Sequence, residues 1–179
     1  MKFAAPFFAI LLAAVPARPA DPPPLVERAL PEIKATVKIP EGWHVRQDSE
    51  DGVVVYQITR ESTESDGGIF LVGFTLSVTP DVPGRLQMPP SQYAVDLLNF
   101  SVEEGGTVDS VDKPPFKVIT TTYSVEGEGG DVTVTDVATA NDKTGTLYFL
   151  AWQNPKAEEA AVAPLREAVL GSLKFDPAF

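Results

Sequence analysis

The chain contains no cysteine and only one histidine in 179 residues. The first absence excludes disulfides, thiolate metal sites, cysteine nucleophiles and the cysteine-linked lipid anchor of exported bacterial lipoproteins. The second leaves His44 as the only side chain that could act as an unshifted neutral-pH base. A Ser-His-Asp triad would have to use it, and there is no Gly-x-Ser-x-Gly elbow to present a nucleophile. A zinc or iron site wants several His or Cys ligands, so any metal would be held almost wholly by carboxylates, which suits calcium or magnesium. P-loop and dinucleotide fingerprints are also missing. Gly67-Gly68 and Gly127 to Gly130 sit between strand-like segments without the flanking pattern. No cofactor and no catalytic or metal-ligating residue is expected.

Basic residues are scarce too: 14 Lys and Arg stand against 25 Asp and Glu, for a net charge of −11. An acidic surface repels nucleic acid and anionic membranes, and leaves an envelope protein or a small ligand as the expected partner. Long apolar runs are absent after the first seventeen residues, MKFAAPFFAILLAAVPA. There Lys2 supplies a positive start, Phe3 to Val15 is uncharged and apolar, and Val15-Pro16-Ala17 has small side chains at the peptidase site. The segment reads as a signal peptide cut after Ala17. Cleavage after Ala20 would place Arg18 where a small side chain is wanted. The mature protein is expected in the periplasm or secreted, without a lipid anchor or a membrane segment.

After the signal, residues 18–34 read as a proline-rich linker, RPADPPP, followed by a short helical turn from Leu25 to Ile33. A single domain is expected over residues 35–176. Thr36 to Ile39 alternates as a strand and Pro40-Glu41-Gly42 turns. Val53 to Arg60 is a strand, Glu61 to Gly68 a polar hairpin loop, and Ile69 to Thr79 the returning strand. Val82 to Pro90 reads as an irregular loop. Ser91 looks like the N-cap of a helix ending near Glu104, before Gly105-Gly106. Tyr93, Ala94, Leu97, Leu98, Phe100 and Val102 cover over half of its circumference, which predicts deep burial. Phe116 to Glu126, Val132 to Ala140 and Thr146 to Trp152 form a three-strand antiparallel meander. Val162, Leu165, Val169 and Leu173 recur at helical spacing, with Pro164 in the first turn of a restarted helix. The fold class is therefore α+β: an antiparallel sheet of about five to seven strands with helices on both faces, an α-β-α sandwich.

The remaining candidates are weak. Asp48, Glu50 and Asp51, and Glu61, Glu64 and Asp66, make two acidic loops without EF-hand spacing, and read as solvated turns. Ser172 reads as a packing or helix-end residue, and Trp43 and Trp152 as core aromatics rather than a sugar platform. Asn99-Phe100-Ser101 matches a glycosylation sequon but falls inside the helix.

The order of elements, with Pro40, Gly42 and Trp43 at its start and Pro164-Leu165, Val169, Ser172-Leu173 and Phe175 at its end, resembles the PsbP/Mog1-like fold over about Ile33 to Phe175. These matches are structural rather than catalytic. The resemblance implies an accessory or binding module; the family includes photosystem II extrinsic subunits, a nuclear-import factor that binds a small GTPase, and many exported bacterial proteins. The expected function is a non-enzymatic binding or accessory module of the cell envelope. The alternatives are a carboxylate-based hydrolase acting on glycans and a carrier of a small apolar ligand between helix and sheet.

Overall fold

The segment Thr146–Pro155 (β9) is apolar on both of its faces and must be covered on both. In the computed structural model, which describes residues 23–50, 53–63, 70–126 and 130–179, it occupies the middle of a seven-stranded sheet. On one side lie His44–Glu50 (β3), Val53–Thr59 (β4) and Gly73–Thr79 (β5). On the other lie Thr107–Lys113 (β6), Phe116–Val125 (β7) and Val132–Asn141 (β8). The order is β3-β4-β5-β9-β8-β7-β6, antiparallel throughout. A second sheet has three strands: Leu25–Leu30 (β1), Ala35–Pro40 (β2) and Lys174–Phe175 (β10), in the order β1-β2-β10. The helices are Val82–Leu86 (α1), Pro90–Glu103 (α2) and Glu159–Ser172 (α3).

Alternation along the strands sorts side chains between two layers. Tyr148, Leu150 and Trp152 of β9 join Phe74, Leu76 and Val78 of β5 and Tyr56 and Ile58 of β4 on one face. The small sheet and α3 cover them, through Ile33, Val37, Ile39, Val162 and Val169. Trp152 is fully buried, stacked on Phe74 at 5.6 Å and tilted against Trp43 at 5.9 Å. On the opposite face Leu147, Ala138, Ala140 and Ile119 pack under Ala94 and Leu98 of α2 and Val82 of α1.

The expected α+β class and antiparallel sheet with helices are present, and several local expectations are corrected. Leu25 to Leu30 is a strand, not a helical turn, because pairing with β2 satisfies its backbone and Pro31 then opens a 3₁₀ turn. Thr107 to Lys113, given no element from sequence, is an edge strand whose residues are all exposed and carry only faint alternation. Five residues of the expected loop from Val82 to Pro90 form α1. The second helix begins at Pro90, whose fixed φ suits the first helical position, and Ser91 lies inside it. Ser91 donates from its N–H and hydroxyl to Asp142 at 2.8 and 2.6 Å, so a carboxylate from the β8–β9 turn serves that helix start. Only Ala94, Leu98 and Ser101 among the described side chains of this helix beyond its first residue are buried. Leu97 and Val102 are 36% and 46% exposed, so the broad apolar arc is not fully used. The last helix runs through Pro164, which sits exposed in its interior, rather than restarting there.

The signal segment 1–17 with its Ala17 junction lies outside the described residues, as do Asp51, Glu64 to Ile69 and Gly127 to Gly129.

Candidate functional site

His44 lies on edge strand β3, exposed, just after the half-buried Trp43. With Arg46, Ser62 and Thr63 it borders a shallow polar hollow of ≈ 440 Å³. No hydrogen bond joins it to a serine or a carboxylate among the described residues, so nothing orients it as a base. Trp152 belongs to the core, and its indole N–H donates to Asn154 Oδ1 at 3.1 Å. Ser172 ties α3 to the small sheet: its Oγ accepts from the Lys38 N–H at 2.8 Å and donates to the Val169 carbonyl at 2.6 Å.

Of the two acidic loops, the described side chains are Asp48 and Glu61, and each has its own basic partner. Asp48 faces Arg46 at 3.6 Å with both side chains exposed. Glu61 pairs with Arg60 at 2.8 Å and accepts the N–H groups of Leu71 and Val72, fastening the base of its loop. Burial pushes the Glu61 carboxyl up, but the Val72 N–H and Arg60 outweigh it and hold the group below its ordinary value. No group of three His, Cys, Asp or Glu capable of holding a metal occurs among the described residues.

One carboxylate that sequence reasoning passed over is buried. Asp136 of β8 is 5% exposed and sits under α2, accepting from Ser101 Oγ at 2.9 Å. Thr121, directly across in β7, has a buried hydroxyl with no hydrogen-bond partner. Burial raises the Asp136 carboxyl above its ordinary value, against the lowering effect of Ser101 and Tyr123. Burial, then the Asp136 charge, raises the Tyr123 phenol. The Glu104 charge also acts on the Tyr123 phenol, and no histidine joins the cluster among the described residues. The cluster is a polar seam fixing helix to sheet.

The surface with the shape of a site lies elsewhere. The small sheet and α3 lean on β4, β5 and β9, while the large sheet continues for three more strands. Its covered face is therefore left open toward β6, and a groove of ≈ 330 Å³ runs between the end of α3 and the strands. Phe116, Val118 and Val137 form its floor, and Leu170, Leu173 and Phe175 its wall. Val111, paired with Val118 on β6, extends the floor outward and is 51% exposed. Phe116 meets Phe175 edge-on at 6.2 Å at one end, where Lys113 and Lys174 are also located. The signal for this groove was faint. It depends on β6 being a strand and on α3 stopping short of it, and neither is written in local periodicity.

No family model and no curated protein matches the sequence. Solved structures do. A protein from Bacteroides thetaiotaomicron matches over 84% of this chain at 15% identity with a TM-score of 0.49, and the chain spans only 48% of that protein. The Ran-binding protein Mog1p of Saccharomyces cerevisiae matches over 84% of this chain and 95% of its own at 15% identity, with a TM-score of 0.43. The cyanobacterial PsbP protein CyanoP of Synechocystis matches over 92% of this chain and 99% of its own, at 15% identity and a TM-score of 0.54. At that identity the likeness speaks for architecture alone, and the architecture of this chain is the PsbP/Mog1-like fold.

Proposed function

We propose that this chain is an exported, non-enzymatic binding or accessory module of the cell envelope, and that the groove between α3 and the β6–β8 strands is its binding surface. The groove carries the proposal: it is concave, largely apolar, and rimmed by charged side chains, as binding sites are. The non-enzymatic reading rests on the single histidine, the missing cysteine and the resemblance in fold. Asp136, the carboxylate with a raised pKa, faces a serine and a tyrosine under a helix rather than a partner acid across a cleft. Export rests on the pattern of residues 1–17, and no helix among the described residues is long and apolar enough to cross a membrane.

Two experiments test this. N-terminal sequencing of the exported protein is expected to begin at Arg18; a start at Met1 removes the export proposal. The mature protein, purified from envelope extract, is expected to retain a ligand or partner that Val111→Glu loses. Val111 is exposed, so this variant leaves the fold alone, and unchanged co-purification would separate the groove from function.

A further inference from the structure

We propose that the groove is built for a single-chain anionic amphiphile, an aliphatic carboxylate whose tail lies on the Val118–Val137 floor and whose head meets Lys113 and Lys174. This rests on the groove being the working surface. The volume, ≈ 330 Å³, stands near the lower end of ligand pockets, roughly 300–1,000 Å³, and suits one flexible chain. The two ends of the groove differ in chemistry. At one, Lys113 is paired with Phe116 and Lys174 adjoins Phe175, with the Phe116–Phe175 contact between them; Thr139 follows in the next row, across from Val118. Toward the other, Val137 and Leu170 line it, and Asp109 stands in the same cross-strand row as Val137 on the exposed edge strand.

The lysines matter because of how the remaining charge is arranged. Ion pairs among the described residues occupy Arg46, Arg60, Lys156 and Arg166. Lys113 and Lys174 take part in none, although Asp109 and Asp176 stand nearby in sequence. Arg28, Lys34, Lys38, Lys117 and Lys143 also take part in none of these ion pairs; what sets Lys113 and Lys174 apart is that both line the apolar groove, in a chain of net charge −11. Lys stems can lie along the apolar wall while their heads reach an anion at the mouth. The acidic surface elsewhere repels the same anion, so charge selects this end over the rest of the molecule.

Calorimetric titration of the mature protein with monomeric sodium dodecanoate, dodecanol and dodecyltrimethylammonium tests the proposal. Dodecanoate is expected to bind one to one, about tenfold or more tighter than the other two. The exposed double variant Lys113→Gln/Lys174→Gln is expected to lose about tenfold for dodecanoate and nothing for dodecanol. Leu170→Glu, checked by its melting temperature, is expected to abolish binding; if it fails to fold, the lysine pair still decides. Equal affinity for the cation, undiminished binding by the double variant, or binding only to anionic phosphatidylglycerol vesicles would overturn the proposal. If no amphiphile binds but Val111→Glu still strips co-purifying material, the ligand class is wrong and the binding module stands. If dodecanoate binds as expected and Val111→Glu strips nothing, the site stands and its envelope role falls.

Discussion

The two faces of the seven-stranded sheet are made from the same strands by simple alternation, yet they are packed differently. The face under the small sheet and α3 is aromatic and large, with Trp152, Tyr148 and Phe74 almost wholly buried. Its polar atoms are paired: the Tyr148 hydroxyl donates to the Ile33 carbonyl at 3.1 Å, and the Trp152 N–H to Asn154. Arg166, 9% exposed, forks onto Glu159 at 3.0 and 2.8 Å and reaches Asn154 at 3.4 Å, closing the network over α3. The face under α2 is built of small residues, Ala94, Ala138 and Ala140, which let the helix come close. It also buries Asp136, Ser101 and Thr121, the last with an unpaired hydroxyl. One face gains its stability from area; the other gives some up for a polar seam that sets where the helix sits.

The largest effect is expected on the aromatic face. Trp152→Ala should cost about 3–5 kcal/mol in denaturant unfolding, since it removes a fully buried ring from between two aromatic neighbours. A loss below about 1 kcal/mol would mean that this face is not the main core. Arg166→Leu should cost about 2–3 kcal/mol at neutral pH, because Glu159 loses both guanidinium hydrogen bonds and keeps only the Asn154 amide as a donor. Hydrogen bonding from Arg166 lowers the Glu159 pKa, so this stabilisation is present above the ordinary glutamate range and is lost as pH falls through the lowered value. In the Arg166→Leu protein that part of the acid sensitivity should vanish, which pH-dependent melting can check.

Adjacent leucines on α2 give a finer test. Leu98→Ala should cost about 2–3 kcal/mol, while Leu97→Ala, at 36% exposure, should cost under about 1 kcal/mol. Equal losses would show the helix buried all round, as its composition suggested. The smallest effect is expected at the seam. Burial holds the folded Asp136 pKa above its unfolded value, so its contribution is full below the unfolded aspartate range and is lost as pH rises through the raised value. Asp136→Asn keeps an acceptor for Ser101 and should be as stable as wild type or better at neutral pH, by up to about 1 kcal/mol. Its melting temperature should lack the downward step expected of the wild type on leaving acid. A clear loss of stability at neutral pH would show that the carboxylate charge itself holds the seam.

The strongly patterned elements were legible because period and composition agree there. The central strand Thr146–Pro155 is apolar on both faces and could only be interior; Gly42, at φ +85°, and Trp43 mark the turn and the packing that follows. The misses came where partners far along the chain decide. Leu25 to Leu30 has enough apolar residues for a helical turn, but β2 offers it a ladder. Asp142, 51 residues away, supplies the acceptor at the start of α2 that local sequence assigned to Ser91. Asp136 looked like one alternating polar residue of a strand, and only the helix laid over it makes it a buried acid.

What the sequence determined by itself is the alternation, the breaks and the charge: strands and helices follow from periodicity, and the shortage of His and Cys narrows the chemistry. What only the tertiary structure decided is coverage. The small sheet and α3 together span part of one sheet face and α2 part of the other, so the same kind of valine is core at Val78 and open groove at Val111. Burial is a property of which layers meet, and layers are joined by contacts between residues distant along the chain, which no local pattern records.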